Sequence, residues 1–104
     1  MQWLIIARDG SDRGAPERRQ AARPAHLENT ARLQEQGHLL IGGALLDDDG
    51  RMIGSAAVAQ FATREDLDAW LQTDPYVMGG VWQEIEVIPY RIAPHYAFPP
   101  EAGR

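Results

Sequence analysis

The segment Trp3-Leu4-Ile5-Ile6-Ala7 is apolar at every position. A strand sends alternate side chains to opposite faces, so a strand built from this run has to be covered on both sides. It stops at Arg8-Asp9-Gly10-Ser11-Asp12, a cluster of turn formers. The chain has 104 residues, which suits one domain. A domain of that size buries roughly two-thirds of its unfolded surface, so how the second face of this strand is covered decides the architecture.

The remaining elements follow from periodicity and breakers. Residues 15–23 are charged, with room for a short helical turn. Pro24 suits the first position of a helix, where the missing N–H costs nothing, and helical spacing continues to about Gln36. With His26 at zero and about 100° per residue, one arc collects His26, Leu27, Thr30, Ala31 and Leu33. Glu28, Arg32 and Glu35 fall on the opposite side. Gly37 is placed to end the helix at C′.

Leu39 to Leu46 is a second strand with Gly42-Gly43 inside it, which suggests a bulge or a close approach to the backbone. Asp47-Asp48-Asp49-Gly50 joins it to a third strand, Met52 to Phe61, as a hairpin. Thr63 is an N-cap, with Asp66 three residues on. Leu67, Trp70 and Leu71 form the buried stripe of a second helix. Asp74 precedes Pro75 and is held out of the helical region, so the helix stops there. Residues 75–80 give one turn and a Gly-Gly break. Val81 to Ile92 is the last strand, and Pro89 puts its end toward a sheet edge. Residues 93–104, with three prolines, form a tail beyond a single domain over 1–92.

The order β-α-β-β-α-β is the ferredoxin-like arrangement, an α+β fold with an antiparallel sheet. Both helices then cover one sheet face. The apolar residues on the other face need a cover, and the simplest in so short a chain is a second copy. A homodimer with sheets packed face to face is therefore expected.

Composition removes several function classes. The net charge of −5 disfavours a nucleic-acid binder, which needs basic residues against phosphates. With no cysteine, there is no disulfide, thiolate metal site or cysteine nucleophile. No apolar run approaches the ~20 residues that span a bilayer. The N-terminus meets Arg8-Asp9 too soon for a signal peptide, so a cytoplasmic protein is expected, without membrane or nucleic-acid partners. Asp47-Asp48-Asp49-Gly50 lacks the Glu that a calcium loop places six residues after its Gly, where Ala56 stands. His38 and His95 have no ligand spacing with His26, and no metal site is expected. The glycine pairs 42–43 and 79–80 lack the flanking pattern of a phosphate loop.

Five segments carry a family resemblance: Arg23-Pro24-Ala25-His26-Leu27, Gly42-Gly43-Ala44, Gly54-Ser55, Ala69-Trp70 and Asp74-Pro75-Tyr76-Val77. In order and spacing the chain resembles the YciI-like proteins of the dimeric α+β barrel group, which also holds muconolactone isomerase-like proteins. The resemblance covers nearly all of residues 1–92. It implies a dimeric α+β barrel and a histidine–aspartate pair as the active site. His26 matches the histidine and Asp74 the aspartate. One member of the family is implicated in dehydrochlorination of an aromatic degradation intermediate.

Histidine exchanges protons near neutrality, and an aspartate on one ring nitrogen fixes its tautomer. The pair suits proton transfer, such as isomerisation or elimination of water or halide from a small aromatic or keto acid, with no cofactor. Arg23 is placed to hold a carboxylate, Tyr76 to line the pocket or donate a hydrogen bond, and Ser55 is the hydroxyl that the family pattern favours. A serine hydrolase would need a strand–turn–helix elbow that is missing here. Plainer readings stand beside these. His26 suits a satisfied core histidine, Asp74 a turn former, Arg23 a surface ion pair and Tyr76 plain core. The competing functions are a non-catalytic dimeric module that binds a small metabolite or assists a pathway enzyme, and a haem-degrading or quinone-forming monooxygenase, which rests on fold group alone.

Overall fold

The computed structural model describes residues 1–98; part of the expected 93–104 tail, residues 99–104, lies outside the described residues. The elements are β1 (Gln2–Asp9), α1 (Ala15–Glu35), β2 (Leu39–Leu46), β3 (Met52–Gln60), α2 (Arg64–Thr73), α3 (Pro75–Met78) and β4 (Trp82–Tyr90). The four strands form one antiparallel sheet in the order β2-β3-β1-β4. This is the ferredoxin-like α+β fold, with α3 as a single added turn. Among the described residues, no helix is long and apolar enough to cross a membrane.

The first helix departs from the sequence reading. It begins at Ala15, nine residues before Pro24, and carries that proline in its interior. Pro16, not Pro24, occupies the first turn. An interior proline removes one backbone hydrogen bond and costs about 3 kcal/mol in an isolated helix. Here the preceding half is pinned from outside. Arg18 makes a bidentate pair with Asp12 at 2.7 Å for each oxygen, and its Nε donates to the Gly80 carbonyl at 3.3 Å. Arg19 is tied to Asp9 on β1. These tertiary anchors override the local preference for a break. At the other end Gly37 takes a positive φ of 78°, as a C′ glycine should.

The second helix starts and stops as its sequence dictates. The Thr63 hydroxyl accepts from the Asp66 amide at 3.1 Å. Asp74 ends α2 with extended backbone and at once caps α3, its carboxylate accepting from the Tyr76 amide at 2.8 Å.

β1 lies between β3 and β4, and its side chains sort by parity. Trp3, Ile5 and Ala7 are buried in a cluster with Leu33, Leu67, Leu71 and Tyr76 of the helices. Leu4 and Ile6 face the other way, are half-buried, and take no part in that cluster. Their neighbours across the sheet include Val58, Ala56 and Ile88. β4 is an edge strand, where Pro89 forfeits no ladder bond on its outer side.

The irregularity expected at Gly42-Gly43 sits earlier. The β2–β3 register skips Leu40, between Leu39↔Ala59 and Ile41↔Val58. One extra residue in a strand switches every following side chain to the other face. Ile41 therefore goes to the open face, where it is 61% exposed. Gly42 and Ala44 now stand on the helix-facing side, opposite Ala57 and Ser55. Four small residues in that patch cannot fill the space beneath α1, and a cavity remains there.

Candidate active site

The cavity between α1 and the sheet has a volume of about 470 Å³, within the usual range for a small-molecule site. Along α1 it is lined by Arg19, Arg23, His26 and Thr30. Their spacing of four, three and four keeps them on one helix face. The sheet contributes Ser55, Ala57, Gly42, Ala44 and Trp82, and Tyr76 of α3 also lines it.

His26 Nδ1 lies 2.8 Å from Asp74 Oδ1. Asp74 has no solvent exposure, and the His26 side chain is 12% exposed. Three nitrogen donors converge on this carboxylate. Oδ1 meets His26 Nδ1 and the Tyr76 amide, and Oδ2 accepts from Asn29 Nδ2 at 3.3 Å. An ionised carboxylate only accepts, so the imidazole presents an N–H to this partner at Nδ1, and in the neutral ring the lone pair is then on Nε2. The ring plane is fixed separately. It stacks on Tyr76 at 3.7 Å between centroids with 12° between planes, and Trp82 meets its edge at 5.6 Å.

A second network adjoins the first. Arg19 Nη1 donates to both oxygens of Asp9 at 2.9 and 3.0 Å, and Nη2 donates to Ser55 Oγ at 3.0 Å. Trp82 Nε1 donates to the same Oγ at 3.2 Å. The Arg19 guanidinium carbon sits 4.7 Å from the Tyr76 ring centre, at cation–π distance. Burial pushes the Tyr76 phenol above its ordinary value, and the charges of Arg19 and Arg23 pull part of the way back. The phenol therefore stays protonated at neutral pH. Among the described residues, no three His, Asp or Glu side chains converge as a metal site requires.

All five residues singled out from sequence thus fall in or against one cavity: His26, Arg23, Ser55 and Tyr76 line it, and Asp74 stands behind His26. Arg19, Asp9, Asn29 and Trp82 were missed. Arg19 had a signal. It lies seven residues before His26, which is 20° from it on the helical wheel. Extending α1 back through Pro24 brings Arg19 and Arg23 onto the His26 face. Leu27, on the expected inward arc, is 47% exposed at the cavity rim.

The YCII-related domain model matches residues 1–91. The chain belongs to the YCII-related family. Protein YciI of Escherichia coli is 35% identical over 97 residues, covering 88% of this chain and 97% of that protein. An uncharacterised Haemophilus influenzae relative is 32% identical over the same span and coverage. Among solved structures, the 5-chloro-2-hydroxyhydroquinone dehydrochlorinase of Burkholderia phenoliruptrix, in complex with 2,5-dihydroxybenzoquinone, superposes with a TM-score of 0.78. It is 22% identical, and the match covers 93% of this YCII-related chain and all of that one. A dimeric ferredoxin-like protein of unknown function from Jannaschia gives a TM-score of 0.51 at 16% identity, over 88% of this chain and 98% of its own.

Proposed function

We propose that this YCII-related chain is a cofactor-independent enzyme that moves a proton on a small oxygenated ring compound, with His26 as acid–base and Asp74 as its orienting partner. The observation that carries this reading is the 2.8 Å contact between His26 Nδ1 and the fully buried Asp74 carboxylate, on the wall of a ligand-sized cavity. A carboxylate held by three N–H donors has little freedom to move, so it fixes the imidazole through Nδ1 and stabilises the imidazolium that forms. Nε2 is then the base. In halide loss from a hydroxylated aromatic ring, Nε2 takes the proton of a ring hydroxyl and returns it to the adjacent C–Cl carbon, which makes the keto tautomer. It then takes the proton of a second, conjugated ring hydroxyl, that O–H pair becomes the quinone C=O, the ring double bond shifts, and chloride departs from the saturated carbon with its bonding pair. In an isomerisation, Nε2 takes a proton from one carbon and returns it to another. General acid–base catalysis of this kind contributes about 10²–10⁴-fold.

The likeness to a dehydrochlorinase favours elimination of halide from a hydroxylated ring. Arg23 at the cavity wall offers a cation to an anionic substrate oxygen. The open sheet face, with Leu4, Ile6, Val58, Ile41 and Ile88, fits a homodimer packed sheet to sheet, and the dimeric ferredoxin-like neighbour supports that assembly.

The test is turnover of chlorinated hydroxyhydroquinones, followed by chloride release and ring absorbance. His26→Asn should reduce the rate at least a hundredfold, and Asp74→Asn should reduce it too, measured at a temperature where circular dichroism shows that the variant is folded. If both variants turn over like the wild-type chain, the pair is not the catalytic centre. If ligands bind but nothing is turned over, the chain is a binding module.

A further inference from the structure

Ser55 Oγ has two lone pairs and one hydrogen. Arg19 Nη2 and Trp82 Nε1 both point at this oxygen, at 3.0 and 3.2 Å. A guanidinium and an indole N–H only donate, so both lone pairs are taken. The Ser55 hydrogen must therefore leave along the remaining direction, and the described residues give Oγ no acceptor. Ser55 is buried and lines the cavity.

Two further donors are unspent. The buried side-chain polar atoms without a partner, among the described residues, are Arg19 Nε and Trp70 Nε1. Arg19 is 5% exposed and Trp70 8% exposed, and both residues line the same cavity. A buried donor left without an acceptor is costly, and here neither orphan is an acceptor.

We infer that Ser55 is a specificity-determining residue that can only donate to the ligand, and that the cavity selects small anionic compounds rich in acceptor oxygens, such as deprotonated hydroxyquinones and enolates. Arg19 is a positioning residue. Held on β1 by Asp9, it supplies one of the two bonds that lock the serine hydroxyl in its donor orientation. The same lock denies Ser55 the role of nucleophile or base, because no lone pair is free to attack or to take a proton. The ligand class rests on reading the cavity as a small-molecule site; the orientation of the hydroxyl does not.

Two measurements on the full chain separate these. Neutron diffraction from deuterated crystals of the free protein locates the Ser55 deuteron. It should lie on the cavity side of Oγ, with deuterons of Arg19 and Trp82 directed at the oxygen. A Ser55 deuteron bonded to a protein carbonyl overturns the donor assignment, whatever the cavity binds. Calorimetric titration then compares 2,5-dihydroxybenzoquinone with 2,5-dimethylbenzoquinone, which has methyl groups in place of the ionisable oxygens. The wild-type chain should prefer the dihydroxy compound. Ser55→Ala, with its fold checked by circular dichroism, should weaken that binding about tenfold or more and change the dimethyl compound's affinity less than twofold. Equal affinity of Ser55→Ala and wild type for 2,5-dihydroxybenzoquinone overturns the specificity role. A wild-type chain that binds neither quinone overturns the ligand class and the small-molecule reading beneath it.

Discussion

Replacing Asp74 by Asn exchanges one carboxylate oxygen for an NH₂ group and removes the charge. In the wild-type chain Oδ1 accepts from His26 Nδ1 and the Tyr76 amide, and Oδ2 accepts from Asn29 Nδ2. If the new NH₂ sits where Oδ1 was, it confronts the Tyr76 amide, which has no second tautomer to offer. If it sits at Oδ2, it confronts the Asn29 amide. Asn29 can present its oxygen only by giving up the 2.7 Å bond from Arg32 Nη2. The first placement leaves a donor facing a donor beside a side chain with zero solvent exposure, and the second does the same or costs the Arg32 bond. An unsatisfied buried group costs about 1–3 kcal/mol, and loss of charge weakens the bonds that remain. Asp74→Asn should therefore destabilise the fold by about 2–4 kcal/mol. For a domain near 100 residues that lowers Tm by on the order of 10 °C or more. Urea unfolding followed by tryptophan fluorescence, on wild type, His26→Asn, Asp74→Asn and the double variant, gives the cycle. Protein concentration is held fixed, because assembly would shift apparent stability. The two sites should couple by about 0.5–3 kcal/mol. An Asp74→Asn chain within about 0.5 kcal/mol of wild type, or a coupling near zero, refutes the account of this carboxylate as a triply bonded anchor.

Three other outcomes follow. Pro24→Ala restores an N–H inside α1 at an exposed position and should raise stability by about 1–3 kcal/mol, read as a higher urea midpoint; a lower midpoint would show that the proline shapes the helix usefully. Gly54→Ala places a methyl group against the Ala7 carbonyl on β1, and the strain should cost about 1–3 kcal/mol with a matching drop in Tm; an unchanged Tm would mean that the strands separate freely. Burial raises the Tyr76 phenol above its ordinary value, so its folded form holds the proton after the unfolded form has lost it. The resulting stability is complete below about pH 10 and is lost as pH rises through the folded value. Tyr76→Phe should flatten the fall in stability above pH 10, and an unaltered alkaline slope contradicts this.

Much of the fold was legible because its signals are local. Thr63 with Asp66, Asp74 before Pro75, and Gly37 each set an element boundary through interactions within a few residues. The β1 pattern showed both faces apolar, and the structure leaves the Leu4 and Ile6 face without a helix. Two things were not legible. The start of α1 depends on Arg18 and Arg19 reaching Asp12, Gly80 and Asp9, contacts between segments that no window of sequence contains. The bulge at Leu40 is a register choice between strands, and it alone decides that Gly42 and Ala44 lie under α1. At the cavity, the resemblance points to His26 and Asp74, helical phasing turns His26 inward, and the structure brings the two side chains to 2.8 Å. Arg19 escapes that phasing because Pro24 has the signature of a helix start. Trp82 was lost because an indole in a strand gives no sign of where its N–H will point.

Asp74 closes α2, opens α3 and holds the imidazole, all with one side chain. The consequence is an asymmetry in how this protein can change over generations. His26 caps nothing, so its loss takes one bond from the carboxylate and one ring from Tyr76 but leaves both helix ends in place. Asp74 has no such freedom, since its loss also unseats the joint between two helices. Among relatives, the carboxylate should therefore vary less than the histidine. A relative that keeps aspartate at this joint but lacks the imidazole keeps it for the fold, and the aspartate alone says nothing of its chemistry.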